Sequence, residues 1–510
     1  MYFFRPIVWI WVLLRHDAAE AFEALVPKKG SLKFLYGLAR LIGDNAAEFD
    51  DQRGGDQPGK RLALALGKLG PTFVKVGQII STRADLIGEQ AASDMSVLHD
   101  QLPPADTQSI REQLEDVFDL PIDALFMEFD WQPVSAASVA QVHFAITSQG
   151  QRVAVKVLRP DIKKAFDRDL EPLQFWARIA ETLLPPLRPL KPTALIREFK
   201  RQVRIELDLR LEAASLSEIQ ALHKDDHRIV LPMVDWERTN SLVLTMSREQ
   251  GIPIDERQQL LDAGLDVHDV LTNAASLFFK GVFELGVFHG DQHAGNMFIK
   301  PDGRVLFVDF GIVGRLPRHT RFFLADLMRD LLDRRYADLA QRYADEGYLP
   351  KSADVAQFAL ALRALAEPII DQPLERVSFA TLLGTLLTMG RRFGMALEPE
   401  LFLLQKNMLM AEGIARSLDP SINIWTIGEP LIKKWMWDNR GPYAQVTAAV
   451  DEAQRFTRKL PEVLERADKT LKRIENSQDE PTLKLTTLVV SFIGISMAVA
   501  FGIFIAQIFG

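Results

Sequence analysis

The side chains best placed to do chemistry lie between positions 289 and 311. Asp291 and Asn296 stand five positions apart in the stretch His-Gly-Asp-Gln-His-Ala-Gly-Asn, and Asp309 opens an Asp-Phe-Gly tripeptide. A carboxylate followed by an amide at this spacing is how phosphoryl-transfer sites orient a nucleophile and bind a metal. Mg²⁺ usually takes one or two carboxylates together with phosphate oxygens. The cluster therefore predicts a site for a magnesium-bound triphosphate.

A second interpretation of the same stretch is the site of a metal-dependent hydrolase. His289, Asp291 and His293 alternate, and alternate positions on a strand point to one face. No third histidine lies nearby in the sequence, and this interpretation leaves Asn296 and Asp309 without a role.

Lys156 is the next candidate. It lies in Arg152–Leu158, whose alternation predicts a strand on which Lys156 faces away from Val155 and Val157. A lysine on an otherwise apolar strand needs an acidic partner if it is buried. The later run Glu-Leu-Asp-Leu-Arg-Leu-Glu offers Glu206, Asp208 and Glu212. The alternatives are a solvated lysine at a sheet edge and a solvated acidic helix face.

Small residues precede that strand. The stretch 134–143 reads Val-Ser-Ala-Ala-Ser-Val-Ala-Gln-Val-His, and it occupies the place where kinases carry a glycine-rich loop over the phosphates. It holds no glycine, but alanine and serine still permit close approach with less backbone freedom. Farther upstream, Lys75-Val-Gly77-Gln78 lies on a helical segment, and its periodicity alone indicates only a surface turn.

The elements that must position these residues follow from hydrophobic periodicity. A buried strand is predicted at 242–246, and a β-hairpin at 297–300 and 305–308 around Pro-Asp-Gly-Arg. Helical patterns are predicted at 61–86 with an interruption at Gly70-Pro71, at 109–118, at 161–184 with a break at Pro172, at 193–222, at 321–454 and at 460–474.

Composition narrows the class of protein. The chain has 510 residues, of which 47% are hydrophobic and 25% are charged, so it is globular and long enough for about three domain-sized units. It contains no cysteine, which excludes disulfides and thiolate chemistry. The formal net charge of −8 argues against a sequence-independent nucleic-acid binder, so we expect no nucleic-acid partner.

The C-terminal end predicts a membrane anchor. Residues 485–510 contain no charged side chain, and about 20 apolar residues suffice to cross a bilayer as a helix. Basic residues before this run favour a cytoplasmic location for the rest of the chain. Whether the run crosses once or forms a hairpin stays open. At the N-terminus, residues 7–14 are apolar but too few to span, which leaves an interfacial aromatic helix or a helix packed on the domain.

Taken together, these motifs resemble the UbiB family of atypical kinases, which is tied to ubiquinone biosynthesis. The resemblance runs from about residue 62 to 331 and rests on elements in the family's order. They are Lys-x-Gly-Gln, the alanine-rich loop, Val-Ala-Val-Lys, Glu-Leu-Asp-x-Arg-x-Glu, Asp-x-His-x-Gly-Asn and Asp-Phe-Gly. The resemblance implies an α+β, protein-kinase-like bilobal fold with an N-terminal helical extension and a C-terminal transmembrane segment.

The resemblance also implies a role for each matching residue. Asp291 corresponds to the catalytic-loop aspartate, Asn296 and Asp309 to the metal-binding pair, Lys156 to the ATP lysine and Glu212 to its helix partner. The implied nucleotide loop comprises Val134, Ser135, Ala136, Ala137, Ser138, Val139, Ala140, Gln141 and Val142. The implied regulatory element comprises Lys75, Gly77 and Gln78, faced by Glu206 and Asp208.

The expectation that follows is a membrane-anchored atypical kinase or ATPase with ATP and Mg²⁺ as cofactors. It would support ubiquinone biosynthesis at a bacterial-type inner membrane, with membrane lipid and quinone-biosynthesis intermediates or enzymes as partners. The alternative is a non-catalytic pseudokinase scaffold or a lipid- or quinone-binding protein. The expected segments are an N-terminal interfacial segment at 1–42, an extension at 43–119, a kinase-like core at 120–420, a helical region at 421–484 and the anchor at 485–510. The phosphoryl acceptor and the oligomeric state stay open.

Overall fold

The computed structural model describes residues 4–16, 18, 57–81, 89–95, 103–183, 188, 191–370, 378–395 and 398–441. Among these, the residues up to Val270 together with His289–Gly314 form one compact unit. Leu271–Phe288 together with the residues from Arg315 onward form a second unit. The predicted domain boundaries stay predictions.

The described elements up to β7 are as follows, in chain order: α1 Phe4–Arg15, α2 Pro58–Leu69, α3 Pro71–Ser81, α4 Glu89–Asp94, α5 Thr107–Phe118, α6 Ile122–Leu125, β1 Phe126–Phe129, β2 Ser135–Ala136, β3 Ala140–Thr147, β4 Arg152–Leu158, α7 Ile162–Leu183, α8 Pro192–Glu206, α9 Leu209–Leu222, β5 Ile229–Val230, β6 Val243–Ser247 and β7 Ile252–Pro253.

The later elements are α10 Arg257–Asp262, α11 Val267–Phe279, β8 Val287–His289, β9 Met297–Ile299, β10 Val305–Phe307, β11 Val313–Arg315, α12 Arg318–Leu332, α13 Tyr336–Asp345, α14 Val355–Ile370, α15 Phe379–Arg392, α16 Pro399–Leu418 and α17 Ile424–Arg440. The predicted strands at 152–158 and 242–246 and the predicted hairpin are confirmed, each to within one or two residues at its ends.

The first helices form a small core of their own. The chain breaks between α2 and α3 at Gly70-Pro71, as predicted, because Gly70 has a φ of +101° and Pro71 starts the next helix. On α1, Trp9 is buried and packs against Phe73 of α3, with ring centroids 5.1 Å apart. The opposite side of α1 exposes its large apolar side chains, Ile7, Val8, Ile10 and Trp11. Thus α1 is a packed helix that also carries an apolar exposed face.

A five-stranded antiparallel sheet lies at the centre of the first unit. Its strands run in the order β1-β3-β4-β6, and β2 pairs with the start of β3. The side chains of Val155 and Val157 are fully buried in a core shared with Ile110 and Leu114 of α5. Because side chains alternate along a strand, α5 covers one face of the sheet and Lys156 points to the other.

The helical stretch 193–222 differs from its prediction. It is two helices, α8 ending at Glu206 and α9 beginning at Leu209. The reason is a cap: Asp208 has extended backbone geometry, and its carboxylate accepts a hydrogen bond from the Arg210 N–H. By contrast, α7 continues through Pro172, so the predicted break there was wrong.

A second sheet of the first unit has the strand order β5-β10-β9-β7. Its β9 and β10 are antiparallel, with Met297 opposite Phe307 and Ile299 opposite Val305. The chain reverses between them at Gly303, which has a φ of +83°. This hairpin fixes the positions of Asn296 and Asp309, which flank it in sequence.

The second unit is mostly helical where it is described, as the pattern from residue 321 onward predicts. Its apolar core is lined by α12 to α17 and includes Phe279, Phe358 and Leu383. Asp326 and Asp330 on α12 are buried, and they pair with guanidinium groups from α12, α13, α17 and the loop before α13, namely Arg329, Arg335, Arg342 and Arg440. Buried carboxylates need such partners.

Within the described residues, no helix is both long and apolar enough to span a bilayer. The predicted anchor at 485–510 and the predicted helix at 460–474 lie outside those residues.

Candidate active site

Lys156 is placed at the centre of the candidate site by the strand pairing of the first unit. On β4 it lies opposite Val142 of β3 and Leu244 of β6. Its ammonium Nζ lies 2.8 and 2.9 Å from the two carboxylate oxygens of Glu212 and 3.2 Å from Asp309 Oδ1. One ammonium group thus joins two acids that are 97 positions apart in the sequence.

Glu212 reaches Lys156 because of its place on α9. It lies in the first turn of this helix, on the face that also buries Leu209, Ala213 and Leu216. A carboxylate in the first helical turn is favoured by the helix dipole. The sequence offered three acids as partners for Lys156, and the structure selects Glu212.

Burial and charge act in opposite directions on these three groups. Burial raises the pKa of Glu212 to about 7, and the nearby Asp309 charge adds to that rise, although Lys156 opposes it. For Lys156, burial opposes the charged form, but Asp309 and Glu212 outweigh it and raise the pKa of its ammonium. For Asp309, whose side chain is half exposed, partial burial opposes the charged form, but the Lys156 ammonium and the Gly311 N–H outweigh it and lower its pKa to about 2.

The backbone of Asp309 is strained. Its φ of +61° lies in the left-handed region, which costs energy for any residue other than glycine, although Asp and Asn adopt it more often than most. The Gly311 N–H donates to Asp309 Oδ1 at 3.2 Å, and a Cβ at position 311 would lie 3.2 Å from that same oxygen. Gly311 therefore allows the carboxylate to fold back over its own turn, and such strain is typical of functional sites.

His289 holds the segment that carries Asp291. The Asp291 N–H donates to His289 Nδ1 at 3.1 Å, and His289 Nε2 lies 3.0 Å from the Val308 carbonyl oxygen, to which it donates. Burial lowers the pKa of His289, partly offset by the Val308 bond and by the charges of Asp309 and Asp291. The neutral imidazole thus links the Asp291 loop to Val308, the residue preceding Asp309. The carboxylates of Asp291 and Asp309 lie close enough to influence the pKa of this imidazole.

Asn296 completes the cluster. Its Nδ2 donates to the Asp291 carbonyl oxygen at 3.1 Å, which leaves the amide oxygen as its acceptor atom. The Val308 N–H donates to the Asn296 carbonyl oxygen at 3.1 Å, so the two ends of the hairpin are bonded next to Asp309. An amide oxygen and a half-exposed carboxylate fit the oxygen donors that Mg²⁺ requires.

The alternative metal site at His289, Asp291 and His293 does not match this geometry. Both ring nitrogens of His289 already engage backbone groups, so neither is available to a metal. In the described part of the chain, no group of three histidine or acidic side chains is arranged to hold a metal ion.

The alanine-rich loop lies between β2 and β3, beside Lys156. Ser135 pairs with Val142 and Ala136 with Gln141, while the Ala137 N–H donates to the Ala140 carbonyl oxygen at 2.8 Å. Side chains at Val134, Ser135 and Ala137 are exposed, whereas those of residues 138–141 are buried. Gln141 turns its amide into the protein rather than toward the loop surface.

The Lys-x-Gly-Gln element lies on α3, within the same unit. Lys75 Nζ is 2.6 Å from Glu206 Oε1 at the end of α8, although the two residues are 131 positions apart. The charge of Glu206 in turn raises the pKa of Glu212. Asp208 does not share this contact: Arg210 holds its carboxylate at 2.6 and 2.9 Å. Gly77 is buried and Gln78 half-buried.

The positioning role of His289 was missed in the sequence, where this residue was considered only as a metal ligand. A signal for it exists: His289 directly follows the apolar residues Val287 and Phe288, which predicts that it belongs to a short, largely buried strand. Its ring also packs at 5.0 Å against Phe310 of the Asp-Phe-Gly tripeptide. The roles of the remaining site residues stay predictions.

Comparison with known proteins places this arrangement in a family. The ABC1 atypical kinase-like domain family matches residues 97–343, and the UbiB helical domain family matches residues 362–423. The chain is 36% identical over 420 residues to "Probable protein kinase UbiB" of Vibrio parahaemolyticus, covering 81% of this chain and 77% of that protein. It is 35% identical over 436 residues to the protein of the same name from Marinobacter nauticus, covering 84% and 80%.

A solved structure is also similar, the complex of Rv3197 with erythromycin from Mycobacterium tuberculosis. It is 26% identical and covers 64% of this chain and 83% of its own, with a TM-score of 0.48, which is too low to add to the fold assignment. The sequence relatives carry the conclusion, since each is more than 30% identical over most of both proteins. This chain belongs to the UbiB family of atypical kinases.

Proposed function

We propose that this protein binds Mg·ATP at the Lys156 site and transfers its γ-phosphoryl group to water or to another acceptor. The observation that carries the proposal is the joint contact of Lys156 with Glu212 and Asp309. Phosphoryl transfer depends mainly on positioning and charge stabilisation, which a fixed ammonium and oxygen ligands provide.

Each residue has a distinct task in this proposal. Lys156, oriented by Glu212, donates to the phosphate oxygens. Asp291, held through His289, orients the nucleophile and accepts its proton. Asn296 and Asp309 would hold Mg²⁺, which neutralises charge on the phosphates when it is bound. The exposed small side chains of the alanine-rich loop let its backbone approach the nucleotide.

The biological role we propose is support of ubiquinone biosynthesis at the cytoplasmic face of a bacterial inner membrane. The family membership and the names of the relatives support it. The charge-free run at 485–510 supports a membrane anchor, with membrane lipid and quinone-biosynthesis intermediates or enzymes as partners.

Asp309→Asn tests the activity directly. We expect it to abolish Mg·ATP turnover, because it removes the negative charge that faces the metal. The measurement is phosphate release by the purified full chain in lipid, with and without a quinone-like phenol. Asp302→Asn is the matched control, since Asp302 lies on the exposed turn of the same hairpin, where its carboxylate pairs with the neighbouring Arg304.

Unchanged turnover in Asp309→Asn would refute the proposed chemistry. Nucleotide binding by the parent without turnover in any lipid would instead support the pseudokinase scaffold. One observation favours the pseudokinase scaffold: the nucleotide loop at 134–142 contains no glycine.

A further inference from the structure

A short segment, residues 103–105, is bonded at two points: to Arg159, which follows β4, and to Gln141 at the start of β3. We call it the strap. The Pro103 carbonyl oxygen accepts a hydrogen bond from Arg159 Nη1 at 2.9 Å. The Ala105 N–H donates to Gln141 Oε1 at 2.8 Å. The strap comes directly before α5, so it connects that helix to the loop.

Arg159 is the centre of these contacts. It is the first residue after β4, and its Nε donates to the Ala137 carbonyl oxygen at 3.0 Å. Its backbone N–H donates to the Val139 carbonyl oxygen at 2.8 Å. One residue therefore engages two carbonyl groups of the loop and one of the strap.

Gln141 fixes the other end of the strap. Its side chain is buried, and its Nε2 lies 2.7 Å from His143 Nε2. His143 Nδ1 lies 2.8 Å from the Asp130 carbonyl oxygen, so Nδ1 carries the proton and Nε2 accepts from Gln141. Each polar atom of this chain of bonds has a partner, which sets the amide so that Oε1 faces Ala105.

We propose that Arg159 is a positioning residue that, with the strap, holds the alanine-rich loop in the conformation that accepts the nucleotide. This inference rests on the proposed function of the site. Carbonyl oxygens repel phosphate oxygens. The Arg159 guanidinium binds the carbonyls of Ala137 and Pro103, and its backbone N–H binds that of Val139. A loop without glycine samples fewer conformations. Hydrogen bonds from Arg159 and the strap can therefore keep the loop in the conformation that binds the nucleotide.

Arg159→Lys is the test, because lysine keeps the charge but has no planar fork with which to bridge two carbonyls. Two readouts are needed on the full chain: amide hydrogen exchange of residues 134–142 without nucleotide, and KM and kcat for Mg·ATP. We expect faster exchange in the loop and an increase in KM of about tenfold with a smaller change in kcat. Arg152→Lys, at the exposed opposite end of β4, should leave both readouts at parent values.

A second variant, Gln141→Met, removes the acceptor for the Ala105 N–H while nearly keeping the side-chain volume. We expect it to accelerate amide hydrogen exchange at the strap and at the loop as well. Parent-like loop exchange in Arg159→Lys, or faster exchange with an unchanged KM, would overturn the inference. If the parent itself fails to bind Mg·ATP, the proposed function fails, and this inference falls with it. The two failures can be told apart, because binding of Mg·ATP by the parent is measured before the variants are compared with it.

Discussion

At the residue scale, the site is a balance of one ammonium against two carboxylates. Lys156 pairs with the buried Glu212 and with the half-exposed Asp309. The Asp309 side chain reaches solvent, whereas that of Glu212 is buried. In the function proposed above, Glu212 would therefore orient the lysine, and Asp309 would be the acid available to the cation.

The raised pKa of Glu212 gives a pH dependence of stability. Because its pKa is about 7 in the folded protein and near 4.5 when unfolded, the folded state binds more protons between those values. Its contribution to stability therefore falls as pH rises from about 4.5 to 7. Each pKa unit corresponds to about 1.4 kcal/mol. We expect the thermal midpoint of the parent, relative to that of Glu212→Gln, to fall as the pH rises from about 4.5 to about 7.

Thermal unfolding of both proteins across that range is the measurement. Other titrating groups are common to both and cancel in the difference. Parallel pH profiles would show that Glu212 titrates in its ordinary range.

His289 provides a second test. His289→Phe keeps a ring against Phe310 but removes the acceptor for the Asp291 N–H and the donor to Val308. We expect kcat to fall by roughly ten- to a hundredfold, because small misplacements of a catalytic group have effects of that order, while KM for Mg·ATP stays within about twofold. Steady-state kinetics measure kcat and KM separately. A fall in kcat together with a rise in KM of similar size would indicate general damage to the site instead.

At the element scale, helices α3, α8 and α9 position the charged residues around Lys156. The cap at Asp208 ends one helix and starts the next, which turns Glu212 toward β4. Helix α3 brings Lys75 to Glu206 at the end of α8, and the charge of Glu206 acts on Glu212. A change on α3 should therefore reach the nucleotide site through two ion pairs.

Lys75→Met tests that connection. It leaves the Glu206 charge unpaired near the site, so we expect Mg·ATP affinity to fall between about 1.5- and fivefold, the range for a partly exposed ion pair. Glu206→Gln in the same chain should restore most of the loss. Lys68→Met on α2, an exposed lysine with no ion pair in the described structure, is the control. Equal Mg·ATP affinities for the parent and Lys75→Met would show that α3 does not influence the nucleotide site.

At the scale of the whole molecule, the sequence joins a kinase-like unit and a helical unit to an apolar C-terminal run. The family matches cover the ABC1 domain and the UbiB helical domain but not that run. Its composition alone argues for membrane insertion, since charged side chains are costly in a bilayer and this run has none.

Removal of residues 485–510 tests the predicted membrane anchor. We expect the shortened chain to leave the membrane fraction and the full chain to resist extraction at alkaline pH. Cell fractionation with detection of the protein in each fraction measures this. Retention of the shortened chain in membranes would move the anchoring role to another part, with the exposed apolar face of α1 the first candidate.

The sequence by itself determined the strands around Lys156, the hairpin beside Asp309 and the break at Gly70-Pro71. These depend on alternation, turn residues and proline geometry, which act over a few neighbouring positions. It also determined the family, because its motifs are specific in combination and order.

Only the tertiary structure decided that both nitrogens of His289 bind the backbone and that Arg159 joins the strap to the loop. It also pairs Lys156 with Glu212, the acid that the family resemblance names but that the residue pattern alone left open among three. The contacts of Lys156 with Glu212, of His289 with Val308 and of Arg159 with Pro103 link residues from 19 to 56 positions apart in the sequence. Local periodicity shows which face a side chain takes but not what packs against it, so partners at such distances are set by the fold.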